Sequence, residues 1–190
     1  MSTKTNCIDK VFAIFRPKAY MRLIPFLFVL TFGLQGLFLN AQSPQIQNAE
    51  IRFEFVSKGV KGTIAGFASE SVLAWESPEK SVFRGSVQSK TLDTHNGLRN
   101  WSLRSGKYFN VKDYPYITFA STEVVQNGSE WVVKGHLTIK SITKTISIIF
   151  KKQDKKLVGT FSLYSFDYGI KIKKQREDNL VKVWLKFDVD

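Results

Sequence analysis

The residues best suited to chemistry lie close together in one polar, loop-forming segment: Asp93, Thr94, His95, Asn96 and Arg99. Asp93 beside His95 is a candidate acid–base pair, and the Arg99 guanidinium is suited to a phosphate or quinone oxygen. In the structural alternative, Asp93 pairs with Arg99 while Thr94 and Asn96 bind loop amides. We favour the structural role. We retain Asp93, Thr94, Asn96 and Arg99 as the candidate polar mouth of a binding site.

The chain offers no complete catalytic or metal-binding set in its sequence. Its two histidines, His95 and His136, are far apart, and His136 belongs to a polar strand face. A zinc site needs three or four ligands held together. Nucleophilic catalysis needs a nucleophile, a base and an orienting group, and no Gly-x-Ser-x-Gly motif accompanies the many serines. We therefore predict no catalytic residue, no metal site and no enzymatic activity.

The elements that flank the polar segment are predicted to be strands, because apolar and polar residues alternate along most of the chain. Ile51, Phe53 and Phe55 alternate with Arg52 and Glu54, and similar runs recur up to the C-terminus. Strict alternation gives a strand one buried face and one solvated face. Short turn signals separate about eight such runs. This spacing is typical of an all-β, antiparallel sandwich or up-and-down barrel rather than a parallel α/β sheet.

One segment breaks this period, near residues 97–107. Leu98 and Trp101 are three positions apart, and Arg99, Arg104 and Lys107 lie among them. The spacing predicts a helical turn or two, bracketed by loops, that caps one end of the strands.

The apolar strand faces are rich in aromatic residues and carry glycines at positions 85, 135 and 159. Eight strands enclose an interior that is either filled by side chains or wide enough for one small ligand. Small residues among large ones would open space along the axis. The pattern alone leaves both a packed core and an elongated apolar pocket open.

The N-terminus has the pattern of a targeting segment. Residues 1–22 carry five basic residues and one acid, and an apolar run of 17 residues follows, 23–39. Ala41 supplies a small residue where a signal peptidase would cut. A retained anchor helix is the alternative, since about 17–25 apolar residues can span a bilayer. We predict a signal peptide over residues 1–41, cleavage near Ala41 and a periplasmic or secreted location.

The remaining residues, 42–190, are enough for one domain with its own core. The single Cys7 precedes them, so we predict no disulfide. The chain carries +12; residues 1–41 contribute +5 − 1 = +4, which leaves +8. An acidic partner or an anionic lipid surface would suit this charge, although the scattered lysines favour a solvated surface. No basic and aromatic pattern predicts nucleic-acid binding.

An ordered series of short motifs runs through the whole predicted domain. Its members include Leu92-Asp93-Thr94, Asn96, Arg99, Tyr108-Phe109, Tyr114-Pro115, Gly135-His136-Leu137-Thr138-Ile139 and Asp167-Tyr168-Gly169-Ile170. Together they resemble the YceI-like family. The resemblance implies an extended antiparallel eight-stranded, lipocalin-like β-barrel that holds a polyisoprenoid or similar lipid, in an exported protein. The chain departs from the family at Asn100, where an acid is usual.

This resemblance favours a ligand in the barrel over a packed core. The candidate ligand-binding residues are Phe53, Phe55, Phe67, Phe83, Ile117, Phe119, Trp131, Leu137, Phe161, Leu163 and Phe187. We predict an exported protein that holds a long-chain apolar ligand, such as a polyisoprenoid or isoprenoid quinone, for carriage or storage. An enzyme acting on a lipid or quinone in the same cavity and a non-binding structural domain remain alternatives. We expect no cofactor beyond a bound isoprenoid lipid, transient membrane contact, and a monomer or homodimer.

Overall fold

The computed structural model describes residues 44–190. The predicted signal peptide, residues 1–41, lies outside the described residues. The described chain forms one antiparallel sheet. Its strands are β1 (Ile46–Phe55), β2 (Val60–Ile64), β3 (Ala68–Ser69), β4 (Arg84–Gln88), β5 (Tyr116–Asn127), β6 (Glu130–Ile139), β7 (Ile142–Gln153), β8 (Lys156–Tyr164) and β9 (Leu180–Val189). A helix, α1 (Gly97–Arg104), lies between β4 and β5. No helix among the described residues is both long enough and apolar enough to cross a bilayer.

Tight turns join the strands from β5 to β8. The registers leave two-residue loops at 128–129, 140–141 and 154–155. Each loop contains one residue with positive φ: Gly128 at 60°, Lys140 at 57° and Asp154 at 52°. Short hairpin loops need such a residue, because their backbone twist must match that of the flanking strands. The alternating residues of neighbouring strands therefore share the same buried face.

The sheet curls until its two edges meet. The strand order is β2-β1-β9-β8-β7-β6-β5-β4-β3, so the edge strands β2 and β3 are consecutive in the chain. Only residues 65–67 link them, and three residues span about 10 Å. Across the seam, Thr63 and Asp93 exchange two backbone hydrogen bonds of 2.9 Å, and Gln88 N–H donates to Ala65 O at 3.1 Å. These contacts confirm the predicted all-β, antiparallel barrel.

The strand count is nine rather than the predicted eight, because one expected strand is split. Residues 63–68 follow the turn signals Lys58-Gly59 and Lys61-Gly62, and their sequence predicts one strand, but residues 65–67 leave the strand conformation. Gly66 there has φ of 69°, in the left-handed region that glycine tolerates. The two pieces consequently pair with different neighbours, β2 with β1 and β3 with β4.

The two ends of the barrel differ. The end that carries the β5–β6 and β7–β8 turns is filled with side chains: the rings of Trp75 and Trp131 lie 5.2 Å apart, and Leu73 is buried. The other end carries α1 and the connection 165–179 between β8 and β9. The predicted helical segment is thus confirmed as α1. It begins at the N-cap Asn96, whose side chain accepts a hydrogen bond from Arg99 N–H at 2.9 Å.

Candidate functional site: an apolar cavity in the barrel

The barrel encloses a cavity of about 350 Å³ with mostly apolar walls. This volume falls within the range of about 300–1,000 Å³ typical of small-molecule sites. Lys58 and Arg99 are exposed and also line the cavity. The cavity therefore reaches the surface at the end that carries α1, which we call the mouth.

Ten of the eleven residues expected to bind a ligand line this cavity. They are Phe53, Phe55, Phe67, Phe83, Ile117, Phe119, Leu137, Phe161, Leu163 and Phe187. Their side chains converge because every second residue of a strand points to the same face, and the sheet curls around that face. Phe67 stacks on Phe187 across the barrel with ring centroids 5.2 Å apart.

Trp131 is the one member of this set that does not line the cavity. Its side chain points inward as expected but lies at the filled end, where only 4% of the residue is exposed. Trp75 packs against its ring, and the Phe83 ring lies edge to face with it, with ring centroids 6.4 Å apart. Alternation along β6 specifies the face of a residue but not its depth along the barrel axis, and the segment that covers Trp131 is remote in sequence.

The glycines do not all open space, contrary to the sequence-based expectation. Gly85 lines the cavity. A Cβ on Gly135 would lie 2.6 Å from Phe119 Cζ, and one on Gly159 would lie 2.6 Å from Phe150 Cδ1. Aromatic rings from the neighbouring strands thus occupy the volume that side chains at positions 135 and 159 would fill. These two glycines let the rings lie flat against the wall.

The polar segment is held together by Asn100 rather than by the expected pair of Asp93 with Arg99. Asp93 Oδ1 accepts hydrogen bonds from Asn100 Nδ2 and from His95 N–H, each 2.8 Å long. Asn100 Oδ1 accepts from the Thr94 N–H at 2.9 Å and from the Thr94 hydroxyl at 2.7 Å. Consecutive helix residues point about 100° apart. Asn100 can therefore face Asp93 while Arg99 faces the mouth.

Hydrogen bonding also stabilises the charged form of Asp93. The side-chain hydrogen bond from Asn100, and then the backbone hydrogen bond from His95, hold the pKa of Asp93 below its ordinary value of 3.8. Both bonds stabilise the carboxylate relative to the carboxylic acid. Asp93 thus remains an anion at neutral pH, and its hydrogen bonds fix the loop that leads into α1.

The four residues of the candidate polar mouth separate into two pairs. Thr94 and Arg99 line the cavity, whereas Asp93 and Asn96 do not. Within the described chain, the Arg99 guanidinium makes no hydrogen bond or ion pair. No Asp or Glu is found among the lining residues, although Lys58 and Arg99 are both present. The lining of the mouth therefore combines apolar walls with the cationic side chains of Lys58 and Arg99.

Sequence reasoning missed the cavity residues that come from the two long connections. Leu103, Tyr108 and Phe109 follow the start of α1, and Ile170 and Ile172 belong to the 165–179 connection. Neither connection alternates with a period of two, so no strand pattern marks the side chains that point inward. The Tyr108-Phe109 and Asp167-Tyr168-Gly169-Ile170 motifs are the sequence signals that could have identified part of this group.

Asn179 holds the 165–179 connection against the barrel and has no exposed surface. Its Oδ1 accepts from the N–H groups of Ile172 and Lys173, both at 2.9 Å. Its Nδ2 donates to the carbonyls of Lys173 at 3.0 Å and Gln175 at 2.5 Å. These four bonds use the full capacity of the amide. They place Ile172 in the cavity wall.

The histidines are not arranged for metal binding. The His95 side chain is 75% exposed, and its Nδ1 lies 3.7 Å from Asp93 Oδ2. Neither side chain lines the cavity. In the described part of the chain, no three His, Cys, Asp or Glu residues are grouped so that they could hold a metal ion.

Comparisons with known proteins agree with this fold. A family model described as a YceI-like domain matches residues 43–190. A UPF0312 protein of Enterobacter sp. (strain 638) is 29% identical over 116 residues, which cover 60% of this chain and 58% of that protein. The chain thus spans less than two thirds of the length of this curated relative.

Two solved structures are similar in fold. BcnA of Burkholderia cenocepacia has a TM-score of 0.65 and 15% identity, and the match covers 76% of this chain and 98% of BcnA. A polyisoprenoid binding domain from Saccharophagus degradans has a TM-score of 0.53 and 11% identity, over 78% of this chain and 97% of that domain. At these identities the likeness shows the lipocalin-like barrel fold and nothing further.

Proposed function

The chain belongs to the family of YceI-like domains, and on this premise we propose that it binds a long-chain apolar molecule inside the barrel. The observation that carries the proposal is the cavity of about 350 Å³, lined by aromatic and aliphatic side chains and open at one end. A polyisoprenoid, an isoprenoid quinone or a similar lipid fits such a site. The name of the structurally similar polyisoprenoid binding domain supports this choice of ligand.

The apolar walls account for affinity. Each CH₂ group removed from water contributes about 0.8 kcal/mol, so about ten carbons contribute roughly 8 kcal/mol before the costs of association are subtracted. The head group then lies at the mouth beside Arg99 and Lys58. Export and carriage or storage of the lipid belong to the same proposal, and the basic and apolar pattern of residues 1–41 supports export.

The two alternatives receive less support from the geometry. For an enzyme acting on a lipid in this cavity, the candidate acid–base pair is Asp93 with His95, and neither residue lines the cavity. A purely structural domain would have a filled interior, whereas this barrel is filled only at the end around Leu73 and Trp131. A binding protein is therefore the function that the site supports best.

The test is extraction of the detergent-free purified protein with organic solvent, followed by mass spectrometry. We expect a co-purifying long-chain lipid. Absence of any lipid, together with no binding of added prenol, prenyl phosphate or isoprenoid quinone, would overturn the proposal.

Two variants of one strand provide the matched comparison. Ile117→Trp places extra volume in the cavity, whereas Val125→Trp places it on the outer face of β5, where Val125 is 47% exposed. We expect the first variant to lose most of the co-purifying lipid and the second to retain it. Equal retention by both variants would place the ligand elsewhere.

A further inference from the structure

Helix α1 presents two large apolar side chains to solvent. Leu98 is 80% exposed and Trp101 is 73% exposed, more than any other large hydrophobic residue in the described chain. Residues three positions apart lie on the same side of a helix, so the two side chains form one apolar spot. Removal of such apolar side chains from water is favourable, yet in the isolated domain both remain exposed to solvent.

The spot lies beside the cavity mouth. Arg99, Ser102 and Leu103 of the same helix line the cavity. One side of α1 therefore forms the wall of the mouth, and the other side carries Leu98 and Trp101 outward. Whatever covers the spot also comes to lie next to the opening.

The charge close to α1 in the sequence is mostly positive. Residues 94–112 contain Arg99, Arg104, Lys107 and Lys112 and no Asp or Glu. The acids that flank this range, Asp93 and Asp113, accept hydrogen bonds from Asn100 and Asn110. Lys and Arg side chains close to an anionic leaflet are attracted to its negative surface potential. The partner that complements this surface is anionic.

A lipid bilayer fits these features better than a protein does. Trp favours the boundary between headgroups and acyl chains, and an amphipathic helix with basic residues can lie in that plane. Two side chains are too few for a protein interface, which needs about 1,000 Å² or more. We propose that α1 docks the barrel, mouth first, on an anionic bilayer, with Leu98 and Trp101 in the headgroup region. Docking in this orientation would bring the mouth to the bilayer, from which a lipid ligand could enter, and that consequence rests on the proposed function. The docking itself does not rest on it.

The test reports on Trp101 alone, because residues 1–41 of the full chain also contain an apolar run. Full-length protein is mixed with vesicles of phosphatidylglycerol and phosphatidylcholine in which part of the acyl chains is brominated, and quenching of tryptophan fluorescence is recorded. We expect quenching that is lost in Trp101→Phe and kept in Trp184→Phe, since Trp184 is an exposed residue of β9. With purely phosphatidylcholine vesicles we expect the Trp101-dependent quenching to fall severalfold.

Several outcomes would overturn the docking proposal. Quenching that persists in Trp101→Phe would show that Trp101 stays outside the lipid. Equal quenching by neutral and anionic vesicles would remove the role of charge. If Leu98→Ser with Trp101→Ser instead converts a lipid-free dimer into a monomer, a second copy of the chain covers the spot and the bilayer does not.

Ligand binding separates this proposal from the proposed function. The double variant Leu98→Ser, Trp101→Ser is expected to bind prenol in vesicle-free solution as wild type does, because neither side chain lines the cavity. Prenol binding without quenching of Trp101 contradicts the docking alone. Quenching of Trp101 in a protein that binds no apolar ligand contradicts the proposed function alone.

Discussion

At the scale of single residues, the side-chain amides of two asparagines hold the loops around the cavity in place, whereas the sequence predicted an ion pair in the polar segment. Asn100 joins Asp93 to Thr94, and Asn179 fixes the connection that carries Ile172. An amide both donates and accepts, so one side chain can satisfy backbone and side-chain groups on two sides. Arg99 is thereby left free to face the mouth.

The free guanidinium of Arg99 predicts a head-group preference. Replacing Arg99→Gln should weaken binding of a prenyl phosphate about ten- to a hundredfold, since a charge-assisted hydrogen bond is worth roughly 1.5–3 kcal/mol. Binding of the uncharged prenol should not change. Titration of both ligands by tryptophan fluorescence checks the difference, and an equal loss for both would instead indicate damage to the apolar wall.

A second residue-scale prediction concerns acid stability. Arg176 donates to both carboxylate oxygens of Asp167, at 2.7 and 2.5 Å, and this hydrogen bonding holds the pKa of Asp167 below its ordinary value of 3.8. Because the pKa is lower in the folded state, the contribution to stability is full above the ordinary value and is lost as pH falls through the lowered one. Asp167→Asn should therefore lower the melting temperature at pH 7, and the difference from wild type should shrink as the pH falls below 3.8.

The control for that measurement is Asp154→Asn. Asp154 lies in the exposed β7–β8 turn and forms no ion pair within the described chain. The melting temperature of the Asp154→Asn variant should equal that of wild type both at pH 7 and at low pH. A constant deficit of Asp167→Asn from pH 7 to pH 2 would contradict the role of ionisation.

The third prediction is a stabilising substitution. Tyr168 is 1% exposed, and its hydroxyl has no hydrogen-bond partner. Burial, and then the Asp167 charge, raise the pKa of Tyr168 to about 12. An unpaired buried polar group costs about 1–3 kcal/mol. Tyr168→Phe should raise the free energy of unfolding in urea by roughly 1 kcal/mol, whereas Tyr116→Phe, at an exposed position, should leave it unchanged.

At the scale of elements, small irregularities decide which side chains reach the cavity. In β5, Ile117 and Phe119 point inward, but a register shift between Ser121 and Glu123 changes the alternation. As a result Val124 is buried and Val125 is exposed. A bulge places two residues of one strand opposite one of its partner. The inward set therefore changes from odd to even positions along the same strand.

The close contact of β5 with β6 gives an element-scale prediction. Gly135→Ala would push a methyl group into the Phe119 ring, so it should lower the free energy of unfolding by about 1–3 kcal/mol. Phe119 should also be displaced toward the cavity, which would weaken binding of long prenols. Gly97→Ala is the control, because a Cβ there meets no atom within 4 Å. Similar urea midpoints for the two variants would contradict the packing argument.

At the scale of the whole molecule, closure of the barrel makes one cavity from strands spread over residues 46–189. The seam depends on a few contacts, among them the paired backbones of Thr63 and Asp93. The polar segment therefore forms part of the seam, since Asp93 belongs to both. A ligand that contacts the wall on both sides of the seam should stabilise the closed barrel as a unit.

Ligand binding should accordingly raise the melting temperature of the whole domain. At a prenol concentration about 100 times its Kd, linkage predicts roughly 2.7 kcal/mol of added stability, or about 5–10 °C for a domain of this size. Differential scanning calorimetry should show one transition that moves with ligand concentration. The shift should shrink in Ile117→Trp and persist in Val125→Trp; a shift of equal size in both would contradict binding in the cavity.

The sequence by itself determined the antiparallel strands, the helix near residue 97 and the inward direction of the eleven predicted ligand-binding residues, ten of which line the cavity. It could do so because alternation depends on local backbone geometry, which each strand carries within itself. Only the tertiary structure decided that Trp131 fills the closed end, that Asn100 rather than Arg99 binds Asp93, and that the 165–179 connection supplies part of the wall. Those outcomes depend on distances between segments remote in sequence. Such distances are set when the barrel closes and its connections pack, and no periodic pattern encodes them.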